Sequence, residues 1–379
     1  MSPQAKVSVI KCPDYQEERV EEALRQSVEL IGGLKSVIKP GDKVLLKVNL
    51  LAPVEAHAAV TTHPSVVKAT IKMVKEAGGI PLIADSPGFL YTAQNNRALR
   101  KSGIMEIAEA MEAEARQFES VENPFVKIDF PEGLWLKSLF YARLALEADC
   151  IISIPKLKTH GLTLFTGAVK NMFGAVAPKT RRAAHLLAKY EKFSGSVVDI
   201  YAFKKPDLAI MDAVVGMEGG GPRHGKPRNV GIILASYDCV SLDAVASKII
   251  GFDPFDIYTT RLAHERGFGV GDIESIETVG ENVEDVYIDF EKPPVRKTNI
   301  PTFAMKLFDR YLKIEPRLVE DKCSRCKICE ESCPVESIKM SPYPVIDRDK
   351  CIQCFCCNEM CTEGAMEIKR NWLAKRVMG

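Results

Sequence analysis

Val44-Leu45-Leu46-Lys47-Val48, then Pro64 to Val74, then Ile80 to Ala84 closed by Asp85-Ser86-Pro87-Gly88: this stretch decides the fold. The first run is short and almost wholly apolar, the pattern of a buried strand. Asn49 breaks it. Pro64 stands where a first helical turn would start, and Val66, Val67, Thr70, Ile71 and Val74 make an apolar stripe at helical spacing. Gly78-Gly79 stops that helix, and Ile80 opens the next strand. Strand, helix and strand within this span form a βαβ unit, which needs a parallel sheet. Outward from it the alternation continues. Val7 to Ile10 reads as a strand, and Val20, Ala23, Leu24, Val28 and Ile31 as a helix ended by Gly32-Gly33. A helix is expected from Arg97 to Arg116, on Leu99, Ile104, Ile107, Ala108 and Met111. Cys150 to Ile154, Leu208 to Met211 and Val230 to Leu234 read as strands, Leu242 to Ile250 and Ile257 to Arg266 as helices. Residues 1–295 are therefore expected to be α/β, with a largely parallel sheet and flanking helices.

The composition changes after this. Lys292 to Pro301 holds three prolines and reads as a connection, so 296–320 is expected to link or dock the next part, with a short helix from Phe303 to Leu312. Cys323-x2-Cys326-x2-Cys329-x3-Cys333-Pro334 follows, and Cys351-x2-Cys354-x2-Cys357-x3-Cys361 repeats it 28 residues later. The spacing is that of bacterial [4Fe-4S] binding, where the fourth cysteine of each run ligates the other cluster. Two clusters are expected: one on Cys323, Cys326, Cys329 and Cys361, the second on Cys351, Cys354, Cys357 and Cys333. Zinc is the competing reading, but a closed zinc site takes four ligands and needs no duplicated three-plus-one pattern. Residues 321–371 resemble the bacterial two-cluster ferredoxins, small α+β domains. Cys356 is outside the pattern, a spare thiol or an alternative ligand. Cys12, Cys150 and Cys239 lie in apolar stretches and read as small hydrophobes.

A formal net charge of +1 over 379 residues gives no reason to expect nucleic acid or an anionic membrane surface. No apolar run approaches the about 20 residues needed to span a bilayer. The N-terminus has no apolar signal core. A cytoplasmic location is expected, where thiols stay reduced.

A second organised stretch is Pro155-Lys156-Leu157-Lys158-Thr159-His160-Gly161, read as a loop at a strand end, followed by a helix carrying Thr166, Gly167, Lys170, Asn171 and Gly174. Gly167, Lys170 or Asn171, and Gly174 share a face. The two glycines leave it bare for a ligand or for another backbone. His160 reads either as a turn residue bonded to backbone or as part of a site at the strand end. His160, Lys170 and Asn171 are the expected catalytic residues. Lys156 and Lys158 are expected to bind an anionic small molecule or cofactor. The run Lys179 to Arg182 reads as solvated surface. Gly219-Gly220-Gly221 offers backbone N–H groups to an anion, or is a surface loop; no Gly-Lys-Ser/Thr follows, so it is not a Walker A loop. Asp212 and Glu218 could serve as acids or bases and are more often structural. His57, His63 and His264 read as structural.

Lys47-Val48-Asn49-Leu50-Leu51, Thr62-His63-Pro64, Asp85-Ser86-Pro87, Pro155 to His160, Thr166 to Gly174, Met211-Asp212-Ala213, Glu218 to Pro222 and Leu242-Asp243-Ala244 together resemble the prokaryotic domain of unknown function 362, often fused to a ferredoxin domain. The stretch from Ala148 to Lys170 also resembles the nickel-pincer lactate racemase family. That resemblance implies a cofactor-bearing lysine at Lys170 and histidines at His160 and His185. The turn at Asp85-Ser86-Pro87-Gly88 has no histidine where that family has one, and the lysine-to-histidine spacing is shifted by one. Ligand identity decides a metal, so the resemblance bears on fold and site location. The sequence identifies no cofactor beyond the clusters. The expected function is electron transfer through two [4Fe-4S] clusters to a substrate site in the α/β domain, with a protein electron donor or acceptor. A carrier that docks on a partner enzyme, and a non-redox racemase-like or anion-binding enzyme, are the alternatives.

Overall fold

Lys43–Val48 and Ile80–Asp85 are strands β2 and β3, paired in parallel, with helix α2 (Pro64–Glu76) between them. Residues 5–88, 96–187, 190–293 and 314–372 are described in this computed structural model. Pro64 opens α2, and His63 caps it, its Nδ1 accepting the Ser65 N–H at 3.2 Å. Val66, Val67, Ile71 and Val74 are fully buried, each stabilising the packing by about 1.5–3 kcal/mol.

Among the described residues the main sheet has ten strands. The rest are β1 (Ala5–Lys11), β4 (Glu114–Gln117), β7 (Cys150–Ile154), β8 (Lys156–His160), β9 (Leu164–Thr166), β10 (Leu208–Glu218), β11 (Lys226–Ser236) and β12 (Ile276–Gly280); β5 (Phe125–Asp129) and β6 (Ser138–Ala142) form a separate hairpin. The order is β12-β1-β11-β10-β7-β2-β3-β4, with β8 on β10 and β9 on β8. Pairing is parallel from β10 through β7, β2 and β3 to β4, and antiparallel at β1–β11, β10–β11 and β8–β9. The fold is thus α/β with a largely parallel sheet, as the alternation predicts. The parallel strands end on one side, where Val48, Asp85 and Ile154 close β2, β3 and β7.

Three elements differ from the sequence expectation. The helix expected to carry Thr166 to Gly174 is shorter: Thr166 closes strand β9, Ala168–Asn171 is helical, and Met172–Ala175 is a 3-10 turn. The single helix expected over Arg97 to Arg116 is two short ones, α3 (Arg97–Lys101) and α4 (Ile104–Ala110), followed by β4. Gly103 separates them at φ 78°, a left-handed conformation that glycine adopts without strain. The loop expected over Pro155–Gly161 is strand β8, and every residue in it is buried. Its Lys, Thr and His side chains look like a solvated loop in sequence but have polar partners inside.

In the C-terminal part β13 (Ile314–Leu318) pairs with β16 (Met366–Arg370), and β14 (Ile338–Met340) with β15 (Pro344–Ile346). The expected helix Phe303–Leu312 lies outside the described residues. The two cysteine runs share a backbone. Arg325 and Gln353 have φ 56° and 55°, and Lys327 and Phe355 have φ 64° and 57°. Each left-handed pair leads into a short helix, Ile328–Glu331 in the first copy and Cys356–Met360 in the second. Ser337 N–H donates to Cys333 Sγ at 3.2 Å, and its counterpart Ala365 N–H donates to Cys361 Sγ at 3.2 Å.

Candidate functional site

The cysteines divide between two cavities. Cys323, Cys326, Cys329 and Cys361 line one. Cys333, Cys351, Cys354 and Cys357 line the other, together with Cys356. Four thiols around one space, with a backbone N–H aimed at one sulfur, suit the donor chemistry of a [4Fe-4S] group. One thiol distinguishes the two: Cys326 of the first is exposed, whereas Cys323 and Cys351 are half-buried alike and the other cysteines of both cavities are buried.

A third cleft lies where the carboxyl ends of the parallel strands meet the second cysteine helix. Its empty space, open side included, is about 660 Å³. Asp85, Lys158, His160, Lys170, Asn171, Arg181 and His185 line it from the α/β domain, and Glu359 and Met360 from the cysteine helix. Asn49 and Thr166 complete the polar wall.

Asn171 is placed by a network beneath the cleft. Its amide donates to Lys47 O and Ser153 Oγ, both at 3.0 Å. Lys47 Nζ forms an ion pair with Asp85 at 2.7 Å, both groups wholly buried. Burial drives both partners toward neutrality, lowering Lys47 and raising Asp85, while their mutual attraction opposes this. Asp85 also accepts the Leu50 and Ser86 N–H groups at 2.7 and 2.8 Å. Gly174 is bare because Asp85 Oδ1 and Lys47 Nζ occupy the space a Cβ would take, and Gly167 is bare because Asp243 does. Asp243 accepts the Ala168 and Val169 N–H groups at 2.6 and 3.0 Å at the start of α6 (Ala168–Asn171). The glycine face predicted from spacing therefore receives buried carboxylates.

His160 closes a turn and also lines the cleft. Its Nδ1 accepts the Leu162 and Thr163 N–H groups at 2.9 and 3.2 Å, closing the β8–β9 turn. Burial, helped by the Lys170 charge, holds the ring well below the usual histidine range. A neutral ring whose Nδ1 accepts must carry its proton on Nε2. That Nε2 faces Glu359 Oε1 at 3.6 Å. Burial lowers Lys170 to about 8, with Glu359 opposing the shift. Lys170 Nζ lies 5.1 Å from the Phe173 ring centroid. Lys158 donates to Val60 O at 2.8 Å, and burial with the Lys170 charge pushes it well below the lysine range. Burial, then Lys170 and Arg181, lowers His185 to about 3; its ring packs 4.7 Å from that of Phe193.

Lys156 points elsewhere. It pairs with Asp212 at 2.8 Å and touches Tyr15 Oη at 2.6 Å, while Tyr15 stacks on His63 with 3.5 Å between centroids. Asp212 thereby holds a buried network outside the cleft. Gly219, Gly220 and Gly221 are not part of the cleft wall either. Gly221 packs against the Thr159 carbonyl and Gly219 against Glu291, and Pro222 is the residue of that loop that reaches the cleft. The solvated reading of Lys179 to Arg182 fails at Arg181, which is 4% exposed, pairs with Glu119 at 3.4 Å and donates to Pro87 O at 2.7 Å. Sequence reasoning also missed Glu359 and Met360. The signal lay in the second cysteine run, where Phe355-Cys356 replaces Lys327-Ile328 of the first and marks an inward face.

The second cysteine helix is fixed on the α/β domain. Phe355 is part of the main core, Met360 packs on Gly88 and Ala52, and His224 Nε2 meets Asn358 O at 2.9 Å. Arg182 donates to Pro334 O at 3.1 Å.

The family described as a domain of unknown function, DUF362, matches residues 44–248, and a 4Fe-4S binding domain matches residues 316–339. A thylakoid-associated protein of Synechocystis sp. is 35% identical over 265 residues, spanning 69% of this chain and 78% of that protein. The lactate racemase apoprotein from Thermoanaerobacterium thermosaccharolyticum matches in structure at a TM-score of 0.40 and 14% identity, over 65% of this chain and 57% of that one. Among the described residues no helix is long and apolar enough to cross a membrane.

Proposed function

This chain belongs to the DUF362 family and carries a 4Fe-4S binding domain, and we propose that it is an iron–sulfur oxidoreductase whose substrate sits in the cleft between the two. The observation that carries this reading is the second cysteine helix. It joins Cys357 to Cys361, one from each cavity, and puts Glu359 and Met360 into the cleft beside His160 and Lys170. Cys323, Cys326, Cys329 and Cys361 would hold one [4Fe-4S] group, and Cys333, Cys351, Cys354 and Cys357 a second. Bound there, such groups supply electrons one at a time. The cleft supplies the protons and the grip. Lys170, lowered to about 8, can hold or release a proton near neutral pH. His160 presents the Nε2 proton to whatever lies against it. Asn171 is a rigid floor, anchored to Lys47 and Ser153. The exposed Cys326 supports exchange with a protein donor at that edge, and thiolate ligands suit a reducing cytoplasm.

Anaerobic purification with iron and sulfide analysis, EPR of the reduced protein and reoxidation by a panel of small keto acids and carboxylates tests the reading. About eight irons per chain, and reoxidation that Lys170→Gln abolishes while the iron is retained, is the expected result. Zinc in place of iron, or full iron loading with no small-molecule oxidant, overturns it.

A further inference from the structure

Glu359 comes from the cysteine module, yet its carboxylate stands against the donors of the α/β cleft. Its side chain is 12% exposed, with Oε1 3.6 Å from His160 Nε2. Lys170 and Lys158 are the charges that act on it. Among the described residues neither lysine has a carboxylate oxygen in ion-pair range; Lys158 reaches only the Val60 carbonyl, and Lys170 lies over a phenyl ring. The same cleft also holds polar atoms that are left unsatisfied. Thr166 Oγ1, Arg181 Nε and His185 Nδ1 have no hydrogen-bond partner, although these residues are only 4%, 4% and 5% exposed. All three line the cleft. Buried polar atoms are rarely left without partners, and a cluster of them at one cleft points to a polar occupant.

The repeat provides an internal comparison. Glu331 is the counterpart of Glu359, at the same position of the same short helix in the first copy, and it is exposed. The position does not demand burial; only the copy that meets the cleft buries its carboxylate.

We infer that the cleft binds a small carboxylate through Lys170, Lys158 and His160 Nε2, in the space between these donors and Glu359, so that Glu359 is an internal competitor for the same charge and donors. Lys170 supplies the charge, and Lys158 and His160 supply directed donors. Charge-assisted hydrogen bonds of this type are the strong ones. The inference rests on the cleft being the substrate site. Its test uses equilibrium binding to the oxidised holoprotein with no turnover, so a failure of the oxidoreductase reading and a failure of this one can be told apart.

The experiment is calorimetric titration with acetate and with inorganic phosphate. Glu359→Gln is expected to bind acetate about tenfold more tightly than the parent, equivalent to about 1.4 kcal/mol. Glu331→Gln is expected to bind as the parent does, and adding Lys170→Gln to Glu359→Gln to reverse the gain. Iron content and melting temperature confirm that each variant is folded. Should Glu359→Gln fail to load iron, Glu359→Asp keeps the charge and shortens its reach, and a smaller tightening is expected. No tightening in the folded Glu359 variant overturns the inference, as does equal tightening in Glu331→Gln. Phosphate binding in preference to acetate overturns the assignment to carboxylates.

Discussion

The two cysteine runs have the same spacing and the same left-handed turns, but one faces solvent and the other the α/β core. In the first copy Cys326 and Lys327 are exposed; in the second the matching Cys354 and Phe355 are buried, Phe355 at 5% exposure. The turn geometry is thus independent of what surrounds it, while each cavity takes three thiols from its own run and the fourth from the other. The asymmetry gives the module a direction: one edge to solvent, the other against the cleft. What sets that direction is a few side chains between the cysteines.

The largest expected effect breaks the asymmetry at its anchor. Phe355→Ala empties a core site shared with the α/β domain and is expected to cost about 3–5 kcal/mol. Lys327→Ala, at the matching exposed position, is expected to change stability by about 0.5 kcal/mol or less. Urea unfolding of the iron-loaded protein measures both. Equal costs would mean that the second copy is not anchored through Phe355.

That difference marks what could be read from sequence. The cysteine spacing is legible because thiolate ligation tolerates few alternatives. The βαβ alternation is legible because apolar runs of strand and helix length have few other uses. The cleft was half legible: Lys158, His160, Lys170, Asn171 and His185 stand out in the sequence on separate grounds, a strand end, a glycine-bare face and a family resemblance, and they line one cleft. Lys156 and Arg181 show why the rest was not. Both are long cations in polar runs, and only the three-dimensional partners, Asp212 for one and Glu119 with Pro87 for the other, decide which way they point. Glu359 was hidden because the repeated cysteine frame alone does not say which copy turns inward: its matching residue Glu331 lies in solvent, and only the apolar Phe355 and Met360, where the first copy has Lys327 and Ser332, mark the second.

The cleft-facing copy can be sharpened by pH. Burial lowers Lys170 from 10.5 to about 8, with Lys47 and Arg181 adding to the shift and Glu359 opposing it. Between those values the unfolded chain holds the proton and the folded chain does not, so this group makes stability rise with pH across that window. Below about pH 8 both states are protonated and its burial costs stability in full. Ligand binding has the opposite sign, because the cation is lost above pH 8. Acetate affinity of the parent is expected to fall above that point by up to about tenfold per pH unit, and that of Glu359→Gln to begin falling at a lower pH, because the carboxylate that holds Lys170 up is gone. A flat profile from pH 7 to about 10 would remove Lys170 from the subsite.

The smallest expected effect concerns the solvent-facing copy alone. Lys327 sits at φ 64°, where a side chain is strained and glycine is not. Its side chain is exposed and buries nothing. Lys327→Gly should therefore relieve the left-handed strain, offset by the larger freedom glycine gains in the unfolded chain, leaving a net change within about 1 kcal/mol and of stabilising sign. Phe355→Gly removes the same strain at φ 57° but also vacates the core. It should lose several kcal/mol, about as much as Phe355→Ala or slightly less. The gap between each Gly variant and its Ala counterpart isolates the backbone contribution, which should agree between the two copies because their turns are the same. If the two gaps differ by more than about 1 kcal/mol, the surroundings reach into the turn itself, and the copies are not one hairpin placed in two environments.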